Sequence, residues 1–309
     1  MMRRLLTIVG LAAPALLAAG AFAQPVLLRD NGAFVTSVGT GFDGADVSQS
    51  QVNPTGDGFT YVGLGITEST GSGGPFRNAD DFVVPVGKAW DLDRVEYFAF
   101  QSQSSGFSTV FAFTEAYVAV YDGPPASGGT LIAGDFTTNR LRGGAWSGAY
   151  RTTSGTTGQQ SQSRPIMRVD IDLSWLAPLA SGRYYFAVSM VGDPLRPSPT
   201  VFSVLVTPNP SGASSQRFAN VDPFFGWFEA PLEWPWRLFG VERPACNDLD
   251  FNNDAVFPDL ADVVAFVDVF AGGACPTTSC DSIDFNNDGV FPDTADVATL
   301  LTVFAGGEC

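Results

Sequence analysis

The sequence predicts a mainly β protein: a jelly-roll-like β-sandwich over residues 24–243, then a small α-helical unit over 244–309. Three observations predict this. Short alternating apolar–polar runs, punctuated by Gly and Pro, fill the first part. Long stretches of helical period are missing from it. The final part holds one pattern written twice, at a period of 34 residues.

Residues 1–23 read as an export signal. Arg3 and Arg4 form a basic end, an apolar run follows, and Ala21-Phe22-Ala23 is a small-x-small cleavage site before Gln24. No second apolar span follows, so no membrane segment is expected after cleavage. The mature chain is expected to be secreted or associated with the cell surface.

In the predicted sandwich, Met167, Val169, Ile171 and Leu173 alternate with Arg168, Asp170 and Asp172. That is a strand with one buried face. Tyr184, Phe186, Val188 and Met190 repeat the pattern after a Ser181–Gly182 turn. Further strands are predicted over 58–67, 90–101, 115–121 and 236–241. Ser/Thr/Gln/Gly-rich composition predicts surface loops over 69–75, 101–108 and 152–164. Asn78, Asp80 and Asp81 read as the end of a turn or a structural cation site. Many short strands with Gly/Pro turns argue for a sandwich.

Composition excludes several chemistries. The chain has no histidine, so no Ser–His–Asp or Cys–His arrangement can form. Lys88 is the only lysine. Asp170 and Asp172, with Glu96 and Glu115, are the carboxylates a glycosidase would need, and they also read as a solvated strand face. The formal net charge is −16, and residues 245–309 carry 12 Asp or Glu and no Lys or Arg. This argues against a nucleic-acid partner, whose phosphates need a basic face. The stretch 223–238, PFFGWFEAPLEWPWRL, is dense in aromatics. Trp227 and Trp234, flanked by Gly and Pro, are candidate sugar-stacking residues; the alternative is that they close the core.

Each repeat opens like a calcium loop. In the second copy Asp284, Asn286 and Asp288 place oxygens at alternate positions, and Gly289 follows for the sharp turn. Asp293 and Asp296 come three apart, one residue late, so the loop carries an insertion. The first copy matches with Asp250, Asn252, Asp254, Asp259 and Asp262. Ala255 replaces the glycine, which costs strain if that position needs positive φ and predicts a weaker first site. Up to two Ca2+ ions are expected. A short helix should follow each loop. Val263, Phe266, Val267 and Phe270, like Val297, Leu300, Leu301 and Phe304, fall at helical spacing, and Gly272 and Gly306 end them.

A duplicated loop–helix with no entering helix resembles a dockerin. The GG-C endings are similar to the GC-type dockerin domains of secreted, planctomycete-like bacterial proteins. The resemblance covers 245–309, about a fifth of the chain. It implies calcium-dependent docking, through the pair of helices, to a cohesin-like or other envelope scaffold protein. The inserted residue, Ala255 and the cysteines depart from cellulosomal dockerins.

All four cysteines lie in this region and allow three connectivities. One clamp per copy is expected, Cys246–Cys275 and Cys280–Cys309, although the repeat is symmetric under every pairing. C-x28-C without histidine is not a zinc spacing. The chain is thus expected to be a non-catalytic, exported protein with a display or ligand-binding sandwich and a docking unit. A polysaccharide-binding module or polysaccharide-active enzyme on a scaffold is the rival.

Overall fold

The computed structural model describes residues 24–306 apart from 50–63, 69–74, 86, 102–107, 153–159, 197, 199, 206–215, 222–223, 230–231, 245, 248, 257, 277–279 and 287–289. The export-signal reading therefore lies outside the described residues, as do Asp288, Gly289 and Cys309. Strand accounts for 44% of the chain and helix for 13%, so the protein is mainly β. No helix among the described residues is long and apolar enough to cross a membrane.

The strands run in this order: β1 (Val26–Asp30), β2 (Asp46–Ser48), β3 (Leu64–Gly65), β4 (Phe76–Val84), β5 (Lys88–Gln101), β6 (Phe113–Tyr121) and β7 (Leu131–Asp135). Then come β8 (Leu141–Arg151), β9 (Pro165–Asp172), β10 (Gly182–Gly192), β11 (Val201–Ser203), β12 (Gln216–Val221), β13 (Phe224–Glu229) and β14 (Trp236–Pro244). Two helices follow, α1 (Leu260–Phe270) and α2 (Thr294–Phe304).

One sheet has the order β1-β14-β5-β9-β8-β2, with β11 on β5 and β3 on β11; the other has the order β13-β12-β4-β10-β6-β7. A single apolar cluster joins them. Val95 and Tyr97 of β5, Val169 and Ile171 of β9 and Leu238 of β14 meet Phe82 of β4, Val118 and Val120 of β6 and Phe186 and Val188 of β10. Phe186 sets its edge on Trp236, with centroids 4.8 Å apart at 81°, a geometry worth about 1 kcal/mol beyond burial.

The central strand β5 changes parity. Trp90 and Leu92 face this core, then Val95, Tyr97 and Ala99 do. The pairing with β14 shifts between Phe239 and Gly240, so that Asp93 is skipped. Such a bulge turns the following side chains over. Phe98 and Phe100 thereby reach the opposite face, where they pack with Phe34, Ile166 and Val204.

Most predicted strands are present within longer ones: 90–101 in β5, 115–121 in β6, 167–173 largely in β9, 184–190 in β10 and 236–241 in β14. Of 58–67, the described part holds only β3. Asn78, Asp80 and Asp81 do not end a turn; they lie within β4. Asn78 and Asp80 are both buried on the inward face that Phe82 and Val84 share. Each links the two sheets. Asn78 Nδ2 donates to Ser203 Oγ at 2.8 Å. Asp80 Oδ2 accepts from Trp236 Nε1 and from Asn31 Nδ2, both at 2.8 Å.

Candidate metal and docking site

The described residues of the repeat fold as two loop–helix units with matching helices. Each helix is 11 residues long and begins at an aspartate N-cap in extended conformation, Asp259 (φ −134, ψ 176) and Asp293 (φ −135, ψ 175). Asp259 Oδ1 accepts from Ala261 N at 2.7 Å and Asp262 N at 3.3 Å. Asp262 Oδ2 answers by accepting from Asp259 N at 3.0 Å. Asp293 and Asp296 repeat this box at 2.7, 3.3 and 3.0 Å. A capping box satisfies amides that the helix itself leaves orphaned. Gly272 (φ +86) and Gly306 (φ +84) take the left-handed conformation that ends each helix.

The apolar residues of the two copies share one core. Phe251, Ala265 and Phe266 from the first copy are buried with Phe285 and Leu300 from the second. Phe266 meets Phe251 edge-on at 5.0 Å and Phe285 edge-on at 5.9 Å. Val267 and Leu301, placed by their spacing on the apolar stripe, instead point outward.

The first loop is closed by its own acids. Asp250 Oδ1 accepts from Asp254 N, and its Oδ2 accepts from Ala255 N, both at 2.9 Å. Asn252 Oδ1 accepts from Asp254 N at 2.9 Å. The fully buried Asp262 reaches back to the loop start, where Asn252 N donates to its Oδ1 at 3.4 Å. In the second copy the equally buried Asp296 receives Asn286 N at 3.5 Å. Ala255 has φ +65, so the turn does demand the conformation that glycine adopts more cheaply. Asp284, like Asn252, is buried at the loop start.

The donor set is all oxygen, two sides of one loop supplying carboxylates and an amide. That is the chemistry a hard cation such as calcium takes. Asp250, Asn252, Asp254, Asp259 and Asp262 would hold one ion, and Asp284, Asn286, Asp288, Asp293 and Asp296 a second. The carboxylates of Asp250, Asp254, Asp259, Asp262, Asp293 and Asp296 are turned onto backbone amides, and among the described residues no three His, Cys, Asp or Glu side chains converge into a metal-holding group.

The cysteine pairing differs from expectation. Cys275 is bonded to Cys280, with Cα atoms 5.7 Å apart, and Cys246 is also in a disulfide. The clamps Cys246–Cys275 and Cys280–Cys309 are therefore corrected. Cys275 ends the first copy and Cys280 begins the second at a sequence separation of 5, so the bond closes the junction between the copies.

The tryptophan pair is also separated. Trp234 is fully buried in the core between the sheets, so it is not a surface platform. Its coil position between β13 and β14 gave no alternation to reveal this. Trp227 lies half-buried on β13, the end strand of its sheet, with its ring edge-on to Tyr121 at 5.9 Å. The sandwich carboxylates carry guanidinium partners: Asp170 with Arg168 at 3.0 Å, Asp172 with Arg142 at 2.6 Å, and Glu96 with Arg94 at 3.3 Å. Glu115 accepts from the Tyr117 hydroxyl.

No protein-family model matches the chain, and no curated protein matches it.

Proposed function

We propose that this is a secreted, non-catalytic protein whose dockerin-like C-terminal unit anchors a jelly-roll-like sandwich to an envelope scaffold in a calcium-dependent way. One observation carries the reading: the unit exposes apolar side chains at matching places in both copies. Val256 and Val290, 34 residues apart, are 58% and 59% exposed; Val267 and Leu301, again 34 apart, are 49% and 50% exposed. Apolar side chains kept in water at duplicated positions fit a surface that a partner covers. The all-oxygen loops, which themselves carry Val256 and Val290 and lead into the helices of Val267 and Leu301, would couple that surface to calcium, since an ion holding the loop acids fixes the start of each helix. The arginine partners of Asp170, Asp172 and Glu96 support a non-catalytic sandwich.

Calorimetry on the full chain tests the reading. Up to two calcium ions should bind. Asp254→Ala should remove the first and Asp288→Ala the second. Val267→Asp with Leu301→Asp should release the protein from envelope scaffold while leaving calcium stoichiometry intact. Absence of calcium binding in the unaltered chain would sink the proposal.

A further inference from the structure

The first sheet carries a cavity of about 490 Å³ lined by Phe42, Asp43, Thr109, Trp146, Gly148 and Tyr150. Its volume lies in the usual range for small-molecule sites. Residues about a hundred apart in sequence meet there because β2 runs parallel to β8, with Asp46 opposite Ala149 and Val47 opposite Tyr150. The Phe42–Gly44 turn that enters β2 is thereby laid beside the end of β8.

The walls are aromatic and held in place. Trp146 and Tyr150 have centroids 5.3 Å apart and planes inclined at 48°. Trp146 Nε1 donates to the Ala149 carbonyl at 3.0 Å, which fixes the indole and satisfies its polar edge. Phe42 leaves 42% of its surface in water. Gly148, at φ +87, has no atom within 4 Å of where a Cβ would stand, so the rim stays open.

Asp43 stands on the same rim with φ 53 and ψ 35, a left-handed conformation unusual for a residue other than glycine. Elsewhere in the sandwich Asp30, Asp81, Asp91, Asp93, Asp172 and Asp193 each hold an arginine. Asp43 holds none among the described residues. Its charge is felt inside the cavity: the Tyr150 hydroxyl is raised in pKa by its burial and, secondarily, by the negative Asp43.

We propose that this cavity binds an organic cation of the alkylammonium class. Aromatic faces carry negative potential and attract such a cation, and a carboxylate at the rim supplies the counter-charge. Residues 24–243 carry 20 Asp or Glu against 14 Lys or Arg, and this net negative charge draws cations toward the sandwich surface. Rings inclined to each other make a corner for a rounded ammonium rather than a flat shelf for a sugar ring. The site is independent of the calcium loops.

The test uses the full chain with its calcium loops saturated. Choline and tetramethylammonium are titrated by calorimetry and by saturation transfer to the N-methyl protons. Neohexanol, the uncharged isostere of choline, is the control. Choline should bind at least about tenfold more tightly than neohexanol. Trp146→Ala should abolish binding. Asp43→Asn should weaken choline several-fold and leave neohexanol unchanged. Asparagine tolerates the left-handed backbone, and residue 43 is exposed, so this variant decides the matter even if Trp146→Ala fails to fold. Equal binding of choline and neohexanol, no binding of either ammonium, or an Asp43→Asn variant with unaltered choline affinity would each overturn the proposal. Retention of neutral glucans without choline binding would overturn it in favour of a sugar groove.

Discussion

Phe251 and Phe285, 34 positions apart, hold equivalent places in the two copies and accept reciprocal backbone hydrogen bonds: Asn247 N donates to Phe285 O at 2.9 Å, and Asp281 N donates to Phe251 O at 3.1 Å. Asn247 and Asp281 are themselves 34 apart. The copies are thus related by exchange, each one's leader segment pairing with the other's loop. Neither copy closes its own core.

The exchange predicts the remaining disulfide. The operation that carries the first copy onto the second maps Cys275–Cys280 onto Cys309–Cys246. Unreduced peptide mapping should recover a Cys275–Cys280 peptide and a Cys246–Cys309 peptide. A Cys246–Cys275 link would contradict both.

Ala255→Gly should stabilise the C-terminal unit by about 1 kcal/mol, the scale of strain for a side chain held at positive φ. The same change should strengthen the weaker calcium event in a titration. A denaturation midpoint that fails to rise would show that the turn carries no such strain.

Trp234→Ala should cost about 3–5 kcal/mol, as removal of a fully buried aromatic does. Trp227→Ala, at a half-buried end strand, should cost about 1 kcal/mol. Urea melts of the two variants, read by circular dichroism, separate them. Equal midpoints would contradict the burial difference.

Asp80 sets a pH dependence. Burial first, and then the nearby Glu233 charge, raise its pKa well above the ordinary value, against the lowering effect of the Trp236 N–H. The unfolded chain titrates this group near about pH 3.9. Above that, the folded state holds a proton the unfolded state has lost, so stability should fall as pH rises from about 4 through the folded pKa. Below about pH 4 both states are protonated and the group contributes no slope. Asp80→Asn should flatten the profile in that window; an unchanged slope would exclude Asp80 as its source.

The sequence made the repeat legible because every feature of it appears twice: caps, loop oxygens, helix spacing and terminal glycines. Strands β9 and β10 were legible because apolar and polar residues alternate along them. β4 was not, because Asn78 and Asp80 sit on its inward face and imitate a turn. The outward placing of Val267 and Leu301 was hidden, since spacing alone does not say how wide a stripe the partner copy covers. The disulfide was open because every pairing obeys the repeat. The cavity around Trp146 was invisible in sequence, as only the parallel β2–β8 pairing assembles it.

The polar residues inside β4 also bear on how the sheets find their alignment. A one-residue slip of this strand would carry Phe82 and Val84 into water and swing Arg77, Asp81 and Val83 inward. An apolar strand would pay only in lost packing. Here the slipped chain would also break the Asn78–Ser203 bond and strand the Trp236 indole N–H opposite a mismatched side chain, and an unmet polar group in an apolar interior is costly. Asn78 and Asp80 therefore act as a proofreading pair: they add little net stability when the strands are correctly paired, and they penalise each misaligned state that burial alone would tolerate.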